Sequence, residues 1–301
     1  MRAPHRRLLL PAGVRRRART RIPIRVHPLS LTLRITAWGC EDVRMTNRLN
    51  ADSAIPVLCY HRVLEREQNA PEGSAHLGGG YGHTWSDQFA EHLRVMVDLG
   101  MTAINHEVLI DALDGTKPLP PRPVLLDFDD NRLAIYRTAW PMMREHGFVG
   151  TVFAITDLAD GLELPHMGAR ADFPPMGWKH LRELHEAGWA VGGHTQRHFW
   201  LEPLKAEKGV GEVEREVVLG RQRAEEQMGV PIRSFAYPGG SFDDEIEGIV
   251  MRTFSSARLW HLSLPTDYVT SETNRYRLPS VNINFETNID ALAGWLRGSV
   301  E

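Results

Sequence analysis

Cysteine is almost absent from this 301-residue sequence, which holds only Cys40 and Cys59. Two thiols build no disulfide framework, so the stapled scaffolds of small secreted domains are excluded. Cys59 lies inside an apolar run and reads as a small buried hydrophobe. Long hydrophobic runs are also missing. Leu8 to Leu10 is broken at Pro11, too short for the core of a signal peptide or for a membrane span. There is no internal repeat, no low-complexity tract and no strong excess of one charge, the net charge being -3. With 42% hydrophobic and 24% charged residues, the composition is that of a globular chain and not of a disordered or collagenous one.

The small net charge hides an asymmetry. Residues 1–44 carry eleven arginines against Glu41 and Asp42, a local +9, which leaves -12 on the rest. An arginine-rich arm can bind nucleic acid or an anionic surface, and acid-poor arginine-rich leaders can be transit peptides. Met45 stands just before the first clean strand signal. Residues 1–50 are therefore expected to be a basic, disordered extension, or upstream sequence read in frame. Residues 51–301 are expected to form the working domain, with nucleic acid not expected as a partner.

From Ser53 onward, short β-branched or apolar runs alternate with longer helical patterns, the mark of repeated βα units and a mainly parallel sheet. The predicted strands are Ile55 to Tyr60, Thr102 to Asn105, Pro123 to Phe128, Gly150 to Ile155, Trp189 to Gly193, Ser234 to Tyr237, Ser255 to Trp260 and Leu278 to Ile283. The stretch Trp85 to Leu99 puts Phe89, Leu93 and Val97 on one stripe and ends at Gly100, with Thr84 or Ser86 to cap its start. Further helices are predicted over Leu133 to His146, Trp178 to Ala187, Val213 to Gln227, Asp243 to Arg252 and Ile289 to Leu296. Two long loops, Glu65 to His83 and Gly161 to Pro175, have the length of functional lids or disordered segments. Gly78, Gly79 and Gly80 in the first are weak evidence for phosphate binding, because no Walker lysine follows.

Three segments carry the chemistry. Val124 to Phe128 is an apolar strand that runs into Asp127, Asp129 and Asp130. Alternation puts Asp127 and Asp129 on one face, and the turning backbone can bring Asp130 round. These acids either cap the helix from Leu133 or share a cation, since burying them bare would be costly. Gly192 to His198 follows another apolar strand and supplies His194 and His198 four residues apart. Two neutral imidazoles and one carboxylate make a three-ligand site for Zn, Fe, Co or Ni with positions left open for water and substrate. Ser234 to Gly240 is a strand running into a Pro-Gly turn that either connects strand to helix or presents N–H groups to a developing oxyanion. His61, after the first strand, reads as a neighbour of the ligands, a proton donor or a packed histidine.

These residues resemble the NodB-type polysaccharide deacetylases, carbohydrate esterase family four, above all the branch acting on poly-β-1,6-N-acetylglucosamine. The resemblance runs in family order through Pro56 to Val63, Leu126 to Asp130, Gly150 to Phe153, Trp178, His194 to His198 and Phe235 to Gly239, ending near Leu278-Pro279. It implies an irregular (β/α) barrel with about seven to eight mainly parallel strands. The activity it implies is metal-dependent removal of N-acetyl groups from a glycan, with release of acetate. Carried over residue by residue, it gives Asp129 as general base and Asp130, His194 and His198 as ligands of one divalent ion. Tyr237 would donate its backbone N–H to the oxyanion, and Trp178, Pro238 and Asn131 would contact substrate.

Four departures fall in the site. Asp127 stands where the family usually has Thr, and Asn131 where it usually has Gly. A third carboxylate would raise at least one neighbouring pKa by repulsion or tighten the metal, while Asn tolerates a left-handed backbone. Ala236 replaces the arginine that many members place before the Tyr-Pro turn, as in the branch named above, so Asp129 must be oriented from elsewhere. The late Leu-x-x-His motif that supplies the general acid is absent, leaving His61 or His261. Two alternatives follow: a metal-containing glycan-binding protein without catalysis, or a hydrolase of a non-sugar amide on the same scaffold.

Overall fold

Parallel strands buried on both sides read as continuous apolar runs, and this chain builds them one after another. The structure is a computed structural model that describes residues 49–50, 52–66, 83–167, 174–260, 264 and 266–300. All of these lie in one unit, residues 45–301. Cys40, the arginine-rich arm, the triple glycine and His261 lie outside the described residues. In chain order the elements begin with β1 (Val57–Tyr60), β2 (Arg62–Leu64), β3 (His83–Trp85), α1 (Ser86–Asp98), β4 (Thr102–Ile104), α2 (His106–Leu113) and β5 (Pro123–Asp129). A π-helical turn (Ile135–Ala139) then leads into α3 (Trp140–Glu145), followed by β6 (Thr151–Ala154), α4 (Thr156–Ala159), α5 (Trp178–Glu186) and β7 (Ala190–Gly193). The last third holds α6 (Leu201–Lys208), α7 (Val210–Met228), β8 (Ser234–Ala236), α8 (Asp244–Thr253), β9 (Ser256–Arg258), β10 (Val281–Asn282) and α9 (Ile289–Gly298).

Seven strands pair in parallel in the order β10-β1-β5-β6-β7-β8-β9, and β4 pairs with the first three residues of β5. The row is joined into a ring by Leu278, just ahead of β10. It forms a parallel bridge with Arg258 of β9, donating its N–H to Ala257 O and accepting from Leu259 N, each at 2.9 Å. The result is the expected irregular (β/α) barrel. β2 and β3 form a separate parallel pair.

Alternation along β1 and β5 sorts the side chains. Leu58, Tyr60, Val124, Leu126 and Phe128 join the large core that includes the helices. Val57 and Leu125, on the other face, pack with Ile104, Val269 and Leu278 in a second apolar cluster. Above that cluster the same face carries Cys59, Asp127 and Asp129, all buried. The interior is thus apolar below and polar above, and each buried Leu or Val contributes about 1.5–3 kcal/mol.

All eight predicted strands of the barrel are present, seven with shortened ends and β5 extended by one residue to Asp129. β2, β3, α2, α4 and α6 were not anticipated. Asn105 ends β4 because its side chain caps α2, accepting from Val108 N at 3.0 Å. The stripe on α1 is Phe89, His92, Leu93 and Met96; Val97 is exposed. Neither Thr84 nor Ser86 caps that helix. Trp85 is its N-cap, with its backbone N–H donated to Gln88 Oε1 at 3.3 Å.

Candidate active site and metal centre

In a parallel barrel every strand delivers its C-terminal residue to the same rim, where active sites of such folds lie. His61 follows β1, Asp129 ends β5 and Asp130 follows it, His194 follows β7, Gly239 lies in the turn after β8, and Trp260 stands two residues past β9. One pocket is lined by His61, Asp129, His194, His198, Trp200, Gly239 and Trp260.

Asp130, His194 and His198 place one donor atom each within 4.8 Å of one another. His194 Nδ1 donates to Ala236 O at 2.8 Å, since a carbonyl can only accept. That fixes the tautomer and leaves Nε2 with a lone pair aimed inward. Asp130 Oδ1 lies 3.7 Å from His194 Nε2 and 3.2 Å from His198 Nε2. Among the described residues that oxygen accepts no hydrogen bond, while Oδ2 faces Arg132 Nη2 at 3.4 Å. A buried carboxylate oxygen that accepts no hydrogen bond and faces two imidazole nitrogens is a donor set that fits a small divalent cation. Burial would raise the pKa of Asp130, but His198, Arg132, His61 and His194 hold it well below the carboxylate range.

The loop that carries the two histidines is clamped from below. Thr195 and His198 both have positive φ, 65° and 66°, and Thr195 Oγ1 accepts from His198 N at 2.8 Å. A β-branched residue resists that conformation. Its surroundings enforce it: fully buried Glu216 of α7 accepts from Arg197 N at 2.8 Å and pairs with Arg197 Nε, and its own carbonyl accepts from Gln196 N at 3.1 Å. Gly220 brings the helix backbone against the loop; a Cβ there would lie 2.9 Å from Gln196 N and from Thr195 C.

Asp129 and Asp127 share Arg258, which is fully buried. Its Nη2 donates to Asp129 Oδ1, and its Nε lies 3.0 Å from Asp127 Oδ2. His106 Nε2 donates to the same oxygen of Asp127 at 3.0 Å. Cys59 is a buried small residue as expected, with its thiol donated to Asp129 Oδ2 at 3.4 Å. Asp127 does not turn toward the ligand cluster, and the pKa rise expected from a third carboxylate is reversed at Asp129. Burial would push Asp129 up, but Arg258 first, then His194 and His61, hold it below the ordinary value. Burial lowers His61 to about 4 against the opposing pull of Asp129 and Asp130, so its imidazole is neutral at pH 7.

Several other sequence-derived assignments need correction. Tyr237 N–H is donated to Arg258 O at 3.1 Å as part of the barrel ladder, so it is not available to an oxyanion. Asn131 is buried and does not reach the pocket. It takes a positive φ of 37°, its Nδ2 donates to Met176 O at 2.9 Å, and its Oδ1 accepts from Ile155 N at 3.0 Å. Trp178 is buried at the start of α5 and donates Nε1–H to Asp160 Oδ1 at 2.6 Å. Pro238 is buried, and its neighbour Gly239 faces the pocket instead. Trp200 and Trp260, which sequence reasoning missed, form the walls. Gly239, with φ of +61°, lies so close under Trp200 that a Cβ would stand 2.6 Å from the indole. The signal for Trp200 was its place two residues after His198.

Comparison with known proteins accords with this arrangement. The sequence profile of the family described as Polysaccharide deacetylase matches residues 116–253. The search of curated proteins gives no match. Among solved structures the fold is similar to that of the Streptococcus pyogenes deacetylase PplD in complex with acetate. That likeness has 21% identity and a TM-score of 0.65, over 82% of this chain and 98% of that one. It is similar also to IcaB from Ammonifex degensii, with 22% identity and a TM-score of 0.65, over 81% and 97%. A de-N-acetylase from Aggregatibacter actinomycetemcomitans gives 17% identity and a TM-score of 0.64, over 80% and 99%. Residues 116–253 thus carry the sequence pattern of the polysaccharide deacetylase family, and the activity that goes with that pattern is hydrolysis of carbon–nitrogen bonds other than peptide bonds.

Proposed function

We propose that this chain removes N-acetyl groups from an N-acetylglucosamine-containing polysaccharide of the poly-β-1,6-N-acetylglucosamine type and that it does so with one divalent ion, zinc or else iron, cobalt or nickel. The observation that carries the reading is the bare, buried Oδ1 of Asp130 facing His194 and His198, one residue from an ionised Asp129. An ion held by Asp130, His194 and His198 would polarise the acetamide carbonyl and acidify a water beside it. Asp129 takes the proton from that water as it attacks the carbonyl carbon. The C–N bond then breaks, acetate leaves, and the sugar amine must receive a proton. Asp129 and His61 are the two groups in the pocket placed to carry it. His61 starts neutral, so the proton it delivers is one that has first passed from Asp129.

Trp200 is half exposed and lines the pocket together with Trp260 and Gly239. Two indoles lining one pocket suit the apolar face of a pyranose ring, which supports a sugar substrate over a small non-sugar amide. The departures that suggested a non-catalytic glycan-binding protein have structural roles instead: Asn131 occupies a left-handed turn, and Asp127 pairs with Arg258.

The test is acetate release from N-acetylglucosamine oligomers by the zinc-loaded chain. Asp129→Asn should lose about 10²–10⁴-fold in kcat with its metal content unchanged. Equal activity in that variant, or acetate release that survives a strong chelator, would overturn the reading.

A further inference from the structure

Two departures from the family pattern are an acid at 127 and no arginine at 236, and the structure links them through Arg258, which stands in register beside Ala236 on the next strand and lies against Asp127. We propose that Arg258 and Asp127 form a buried pair that positions Asp129 for its encounter with water. This rests on the reading of Asp129 as the base.

Arg258 is held on every side. Nη1 donates to Ser280 Oγ at 3.2 Å and to Leu259 O at 3.3 Å, Nε faces Asp127 Oδ2 at 3.0 Å, and Nη2 donates to Asp129 Oδ1. Asp127 is fixed in turn by His106 Nε2–H, and His106 by its backbone N–H on Thr151 Oγ1 at 3.0 Å. The planar guanidinium is thus held by hydrogen bonds at Nη1 and Nη2 and by an ion-pair contact at Nε, and it orients the carboxylate it grips by one oxygen. Among the described residues Asp129 Oδ2 has as hydrogen-bond donor the weak thiol of Cys59 at 3.4 Å. That oxygen is the atom free to accept a proton.

With Asp127 beside it, Arg258 divides its contacts between two carboxyl groups and does not give them all to the base. The side of Asp127 follows from strand alternation, which places it two residues below Asp129 on the same face. Arg258 and Asp127 act through Asp129 and are positioning residues.

The experiment compares wild type, R258K and D127N, each loaded with zinc, in steady-state acetate release from N-acetylglucosamine oligomers. R258K keeps the cation and D127N keeps the shape, so both retain the buried packing. Each should lower kcat by about 10- to 100-fold, as expected of a base displaced by about 1 Å. KM should stay within about two-fold of wild type, and zinc stoichiometry at the wild-type value. The double variant should lose little more than the worse single one, because the two residues act as a unit. In R258A, guanidinium ion added to the buffer should restore part of kcat. A kcat within about two-fold of wild type in both single variants overturns the proposal, as does a loss that merely tracks loss of zinc. If wild type itself releases no acetate, it is the proposed function that fails. The pair is then judged on crystal structures of zinc-loaded R258K and D127N, where a rotated Asp129 supports it and an unmoved Asp129 overturns it.

Discussion

Gly220 offers a test in which two effects of known size oppose each other. It sits inside α7, where Gly→Ala normally stabilises by about 0.5–1 kcal/mol through helix propensity. Here the new methyl would stand 2.9 Å from Gln196 N and Thr195 C and 3.2 Å from Thr195 O. Carbon contacts relax to about 3.5–4.0 Å, so helix and loop must separate by roughly 0.5–1 Å. All three atoms belong to backbone and cannot swing aside. Overpacking of this kind costs about 1–3 kcal/mol, which outweighs the propensity gain and leaves Gly220→Ala destabilised by about 1–2 kcal/mol. For a domain of this size that lowers Tm by roughly 2–8 °C. The displaced segment is the one that carries His194 and His198, so zinc affinity should fall as well, by about 10- to 100-fold, the range for residues that orient metal ligands. Differential scanning calorimetry and isothermal titration with zinc read the two effects. A variant that melts higher than wild type with unchanged zinc affinity would refute the reasoning, because helix propensity would then have won over the contact.

Two further outcomes follow from other parts of the molecule. Trp200→Ala should raise KM for N-acetylglucosamine oligomers by about ten-fold, the size of a lost aromatic contact of 1–1.5 kcal/mol, with kcat changed far less; an unaltered KM would remove Trp200 from the substrate path. Burial lowers the imidazole of His92 from 6.5 to about 4, so the folded state keeps it neutral where the unfolded chain protonates it. Its contribution is complete above pH 6.5 and is lost as pH falls toward 4, by at most about 3 kcal/mol. His92→Gln should therefore flatten the fall of Tm between pH 6.5 and 4, and parallel profiles for the two proteins would contradict this.

The barrel strands were legible because a parallel strand covered on both sides leaves a dense apolar run, and eight such runs stand apart in this chain. The acid run at the end of β5 and the paired histidines after β7 were legible as well, since their spacing is local. What escaped was set by tertiary contact. β2 and β3 are three residues long and, among the described residues, pair only with each other. The short α6 begins at Leu201, immediately after a tryptophan whose position depends on Gly239. Arg258 looked like any strand-end arginine; nothing near it in sequence points to Asp127 or Asp129, more than 120 residues away. Tyr237 is the reverse case. Its local turn suggested a free N–H, and only the pairing of β8 with β9 shows that Arg258 already accepts it.

The ring closes through Leu278 and β10, elements that contribute no side chain to the pocket. Arg258, Trp260 and His61 lie on either side of that seam, and β1 has β10 as its outer neighbour. The chemistry therefore has no modular core: the stretch from 116 to 253 holds the acid pair and both imidazoles, yet lacks the guanidinium and one aromatic wall. Whatever shortens the chain beyond residue 277 unfastens the hoop at its clasp and takes the site apart from a distance.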